Sequence, residues 1–259
     1  MGSFRETGWV IWVCARMQIE EMRGNHLGLV IGVIQPCVFL LVTLGSIGDR
    51  VEAEGTRWAT AVVLTSLWAA TVWIAGSILR IEKLMGTLAR SITSVQPGFL
   101  VLLGKSLGAT ARSLVIIVGA TGVTLLATGT AVHVDRPAWF ALGLLAAAAS
   151  GVALGMLLSC ALLLTLHGTE VAAALMYPVF ILGGLMIPVE ALPAPVRWIP
   201  ATISLSWAQR FLTGAASGEV PFIALGMLVA LTVLYFACAL VAFSRIADRA
   251  RRKGTLDLV

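Results

Sequence analysis

Six long stretches without a single Asp, Glu, Lys or Arg constrain this chain more than any other feature. They cover residues 27–48, 58–79, 113–132, 137–166, 171–189 and 220–244. Roughly 20 apolar residues, each rising about 1.5 Å along a helix, cross a ~30 Å hydrocarbon core. Every stretch reaches that length, and the fourth exceeds it, so it is expected to tilt or to run into the headgroups. Composition agrees. Apolar residues make up 59% of the chain and charged residues 12%, against roughly 45–50% and about 25% in an ordinary soluble domain. The expected fold is an all-α membrane protein with six transmembrane helices.

The net charge of +5 is explained by topology rather than by an acidic partner. Thirteen of the 18 Lys and Arg fall before the first stretch, between the second and third, or after the sixth. The other five are Arg50, Arg57, Arg136, Arg197 and Arg210, in the alternate connections. The positive-inside rule then places both termini and residues 80–112 in the cytoplasm. A nucleic-acid partner would need a basic face with stacking aromatics, and the sequence offers none. The start of the chain does not read as a cleavable signal: its first uncharged run is 22 residues long and follows Glu20 and Glu21.

Three segments between or beside the spans carry further information. Residues 4–23 mix Trp9, Trp12, Val13 and Met17 with Arg16, Glu20, Glu21 and Arg23, as suits a helix lying in the interface. In residues 80–90, Ile81, Leu84, Met85 and Leu88 follow i, i+3, i+4, i+7 spacing. This predicts a short amphipathic helix whose stripe rests on the membrane and whose Glu82, Lys83 and Arg90 face water. Residues 188–218 hold four prolines with Trp198 and Trp207. They are too broken to span and too apolar for an open loop, and predict short helices dipping back from the outer surface.

Several chemistries find no support. Residues 98–106 (GFLVLLGKS) approach a phosphate-binding loop, but the glycine spacing is one residue too long and Phe99 stands where glycine is required. Cys14, Cys37, Cys160 and Cys238 form no Cys-x-x-Cys pair, and His26, His133 and His167 have no companion at ligand spacing. No metal site is expected. No span carries an ionisable group at its centre, which lowers the reading of an ion-gradient-driven carrier. Gln35–Pro36 is the most polar point of the first span. It reads equally as a bend in a transport path and as a packing kink.

Four patterns, taken in order, resemble the ABC type-2 permease family, the membrane subunits of ATP-driven exporters. They are Gln35–Pro36 in the first span; Glu82-Lys-Leu-Met-Gly86-Thr87-Leu88 after the second; Pro97 with Gly104–Lys105 leading into the third; and Gly184-Leu-Met-Ile-Pro188 on to Leu192–Pro193 and Arg210. The resemblance implies a single transmembrane domain over residues 1–259, with an interfacial helix at 1–26, a six-span bundle at 27–244 and a cytoplasmic basic tail at 245–259. It implies a coupling helix between spans 2 and 3, with Glu82, Lys83, Gly86, Thr87 and Arg90 meeting the ATPase. Gln35, Trp68, Trp73, Tyr177 and Phe180 are the expected substrate-path residues. No cofactor is expected on this chain, ATP and Mg being held by two copies of a cytoplasmic ATPase subunit. A second permease, identical or homologous, and membrane lipid complete the expected partners. The implied role is export of an amphipathic drug, natural product or lipid across a bacterial inner membrane. A gradient-driven carrier or a non-transporting structural subunit is the alternative.

Overall fold

The computed structural model describes residues 2–24, 26–47, 51–88, 97–165, 167–182, 193 and 198–253, and the described residues contain helices and no strand. Chain order gives α1 (Gly2–Glu21), α2 (His26–Ser46), α3 (Gly55–Leu84), α4 (Gly98–Thr128), α5 (Pro137–Leu163), α6 (Gly168–Leu182), α7 (Ser204–Ala216) and α8 (Phe222–Lys253). Five of these, α2, α3, α4, α5 and α8, are long and apolar enough to cross a membrane. The expected fifth span, 171–189, is described only through α6, and its remainder lies outside the described residues, as do 183–192 generally.

Burial orders the bundle. In α3, 89% of the most apolar stretch is buried, against 17% in α8. α3 is therefore the central post, and α2, α4, α5, α6 and α7 all pack on it. Its core face presents Leu64, Leu67, Trp68 and Val72 to Ala147 of α5 and to Leu205, Ala208 and Leu212 of α7. α5 and α8 run parallel: Trp139 meets Phe222 where both helices begin, ring centres 5.5 Å apart. Towards the other end of α8, Phe99 of α4 meets both Phe236 and Phe243.

Two helices depart from regular α geometry, each for a local reason. In α2 the turn Val30–Ile34 is π-helical, and the Gln35 N–H donates to the Val30 carbonyl five residues back. Pro36 follows directly. Having no N–H, and a ring that crowds the preceding turn, it is accommodated by a wider turn better than by a regular one. In α3 the chain tightens to a 3-10 turn at Ala75–Ser77. There Gly76 and Ala75 lie against Leu158 and Gly155 of α5, and the Leu79 N–H donates to Ser159 Oγ at 3.0 Å. This turn sets the direction of the last two turns of α3.

At the opposite end of the bundle, α7 is buried along Leu205, Ala208, Phe211, Leu212 and Ala215. Phe211 and Leu212 fill the space left by Gly143 of α5. Ser150 donates to Ser204 Oγ at 2.7 Å, and Gln209 Nε2 donates to the Arg57 carbonyl at 3.1 Å. Thirteen residues rise about 20 Å, short of a ~30 Å core. The helical, non-spanning character expected within 188–218 is thus present in 204–216 and in the 3-10 turn Ile199–Thr202.

A candidate coupling site at the end of the central helix

The sequence that ends α3 is Ile81-Glu-Lys-Leu-Met-Gly86-Thr-Leu88. Gly86 takes φ +71°, the left-handed conformation that costs a β-carbon residue roughly 1 kcal/mol or more. Its N–H donates to the Lys83 carbonyl at 3.1 Å, while the Thr87 N–H donates to the Glu82 carbonyl at 2.9 Å. The pairing is that of a Schellman cap, which satisfies carbonyls the helix would otherwise leave open. The Thr87 hydroxyl adds a second bond to the same carbonyl, at 3.2 Å. Leu88 then turns back into the core, 1% exposed. Leu84 and Met85 are left outside at the tip, 78% and 74% exposed. Gly86→Ala leaves free space around the new Cβ. Its expected effect is therefore backbone strain alone, about 1–2 kcal/mol, read as a small drop in melting temperature that Gly86→Asn reduces.

Glu82 departs from the sequence expectation. It was expected to be solvated; it is 6% exposed. The helix that carries it is not a separate surface element but the last part of α3, and the inward face of α3 continues through Ile78, Leu79 and Glu82. A carboxylate is tolerated there because Lys105 of α4 stands opposite, Nζ 2.9 Å from Glu82 Oε1. The same ammonium lies 3.6 Å from Glu21 Oε1, at the end of α1. The apolar stripe is corrected too. Ile81, Leu84 and Met85 point away from the bundle and Leu88 into it, so the four do not act as one face. Lys83 is half-buried, Gly86 and Thr87 are exposed, and Arg90 lies outside the described residues.

α1 reaches this cluster by lying directly on α4. A Cβ at Gly104 would stand 2.6 Å from the Ile11 carbonyl oxygen, and one at Gly108 would overlap the Ala15 carbonyl. Glycines four apart let two backbones approach. The Arg112 guanidinium donates to the Ile19 carbonyl at 2.7 Å, so Arg112 and Lys105 place positive charge at the C-terminal end of α1, where the helix dipole favours it. Burial pushes the Cys14 thiol up from its ordinary range, with the Lys105 charge pulling the other way. Trp9 and Trp12 face outward, Arg16 lying over the Trp12 ring at 5.6 Å. Residues 98–106 are helical within α4, which is not the loop a phosphate would need.

Of the expected path residues, Trp68, Trp73 and Phe180 gather around one buried cluster. Trp68 is closed off within it, its indole N–H without a partner among the described residues. Phe180 packs edge-on against Phe39 of α2, ring centres 6.5 Å apart. Gln35 is half-buried at the end of the π-helical turn. The Tyr177 side chain lies outside the described residues. Sequence reading missed Glu21, Gly108 and Arg112. The four-residue spacing of Gly104 and Gly108 was the one signal that could have shown where α1 docks.

Residues 10–215 match the ABC-2 type transporter family. The chain belongs to that family. The match runs from α1 into α7 and includes the whole capped end of α3. Among curated proteins, no match is found. This ABC-2 chain is a multi-pass membrane permease subunit; such subunits lack ATPase activity and generally pair with an ATPase subunit.

Proposed function

We propose that this ABC-2 permease exports an amphipathic drug, natural product or lipid, driven by ATP hydrolysed on a cytoplasmic ATPase that docks on the end of α3. The observation that carries this reading is the tip itself. Two large apolar side chains, Leu84 and Met85, are left uncovered by the rest of the described chain at a fully capped helix end on the most buried helix of the bundle. A short helix presenting apolar anchors suits a groove on a partner protein. A rigid post behind it suits transmission of force.

In this reading, two permeases and two ATPases make the transporter, with ATP and Mg on the ATPases alone. α1 lies in the inner interface of a bacterial inner membrane, and the basic residues after 245 stay in the cytoplasm. Glu82 supports the coupling element from within, while Lys83, Gly86, Thr87 and Arg90 shape the contact. Gln35, Trp73, Tyr177 and Phe180 line the substrate path, and Trp68 joins it when the cluster around α3 opens.

Two results test the reading. Leu84→Glu should leave the permease folded, because the side chain is exposed, yet weaken co-purification of the ATPase roughly tenfold or more, the effect of losing an interface anchor. Full retention of the ATPase would refute docking at this tip. For orientation, a cysteine at His133, whose side chain is 90% exposed, should label from outside in intact cells, and one at Leu84 should not. The reverse pattern would invert the topology.

A further inference from the structure

Glu21, Lys105 and Glu82 form a three-membered ion cluster drawn from α1, α4 and the end of α3. Lys105 and Glu82 are nearly closed to solvent, their side chains 14% and 8% exposed, whereas Glu21 is half-exposed. Stability alone does not call for such an arrangement. Apolar residues of similar volume often serve as well as a buried ion pair or better, and the leucines, alanines and glycines around this one show that the chain has them to hand. The unequal geometry is informative. Lys105 sits at hydrogen-bonding distance from Glu82 and at 3.6 Å from Glu21. A lysine offers three donors on a flexible stem, so the ammonium can lean from one carboxylate to the other without leaving either uncompensated. Glu82 is also fixed at its backbone, because its carbonyl receives both the N–H and the hydroxyl of Thr87. Any displacement of the Leu84–Met85 tip therefore displaces the Glu82 carboxylate with it.

The geometry points to Lys105 as a positioning residue that transmits movement of the α3 tip to α1, through Glu21. This rests on the docking of the ATPase at that tip. When the tip shifts, the ammonium redistributes between Glu82 and Glu21, and the end of α1 follows. α1 otherwise rides on α4 through Gly104, Gly108 and the Arg112–Ile19 bond. Those contacts hold it in place but do not touch α3.

Glu21→Gln isolates the relay. It leaves the Glu82–Lys105 pair and the glycine packing untouched, and a half-exposed pair contributes little to stability. Hydrogen exchange is followed along the permease in the assembled transporter with its ATPase, with and without ATP and vanadate. In the parent, nucleotide is expected to change exchange both at the α3 tip and in Gly2–Glu21. In Glu21→Gln the tip response should persist while the α1 response falls about two- to fivefold, the range of a half-exposed pair. Nucleotide-free exchange in α1 should stay at the parent level. An α1 response equal to the parent's overturns the relay, as does a parent α1 that never responds. Raised nucleotide-free exchange in α1 also overturns it, by making Glu21 merely structural. A parent whose α3 tip does not respond to nucleotide overturns the docking reading itself, and the relay with it.

Discussion

Glu82→Ala is expected to destabilise the permease by about 3 kcal/mol, near the lower end of what orphaning a buried charge costs. Lys105 would keep only Glu21, at 3.6 Å and partly in water. In a chain of this size that corresponds to a fall of roughly 6–12 °C in melting temperature, measured on the purified permease in detergent. Glu82→Arg should be worse, setting two cations against each other in a site with little water, and should give no folded protein. The double exchange Glu82→Lys with Lys105→Glu restores the pair and should recover most of the loss. A Glu82→Ala permease melting within about 2 °C of the parent would show that the carboxylate is solvated after all.

Gly108→Val should separate α1 from α4. The obstacle is backbone, because the new Cβ would overlap the Ala15 carbonyl and lie 2.8 Å from its carbon, so no side-chain rotation relieves it. Overpacking of this kind costs about 1–3 kcal/mol and more where nothing can yield. Undocking exposes Cys14, which is half-buried against α4. Maleimide labelling of the Cys14 peptide should then rise by about tenfold, equivalent to ~1.4 kcal/mol of lost docking. Gly119, on the same helix, has open space around its Cβ position. Gly119→Ala should therefore leave labelling unchanged and stabilise slightly, by about 0.5–1 kcal/mol. Equal Cys14 labelling in Gly108→Val and the parent would place α1 elsewhere.

The bundle was legible from charge-free runs because lipid-crossing helices must be apolar along their whole length. The helix ends were not legible by that criterion. α4 begins at Gly98, 15 residues before the charge-free run that starts at Ser113, because Lys105 and Arg112 are matched by Glu82, Glu21 and the Ile19 carbonyl. α8 likewise continues through Arg245 and Arg249 to Lys253, burying Ile246, Ala247 and Ala250 while Arg245 and Arg249 face out. The same blindness affected the coupling segment. Its spacing was read as one helical stripe from Ile81 to Leu88, yet the helix ends at Leu84 and its inward face carries Glu82. The clue to that face lay in Lys105, 23 residues further on, and in the continuity of α3 through the 3-10 turn at Ala75–Ser77. Gly86 and Thr87 were read as contact residues; their hydrogen bonds end a helix.

The most direct measurement is crosslinking from the tip of α3 in the assembled transporter. A photoreactive residue at Leu84 should give an adduct with the ATPase subunit, and so should one at Met85. One at Leu126, 84% exposed at the far end of α4, should give none. Loss of the Leu84 and Met85 adducts with the ATPase still bound, or an ATPase adduct at Leu126 instead, would contradict coupling through this helix end.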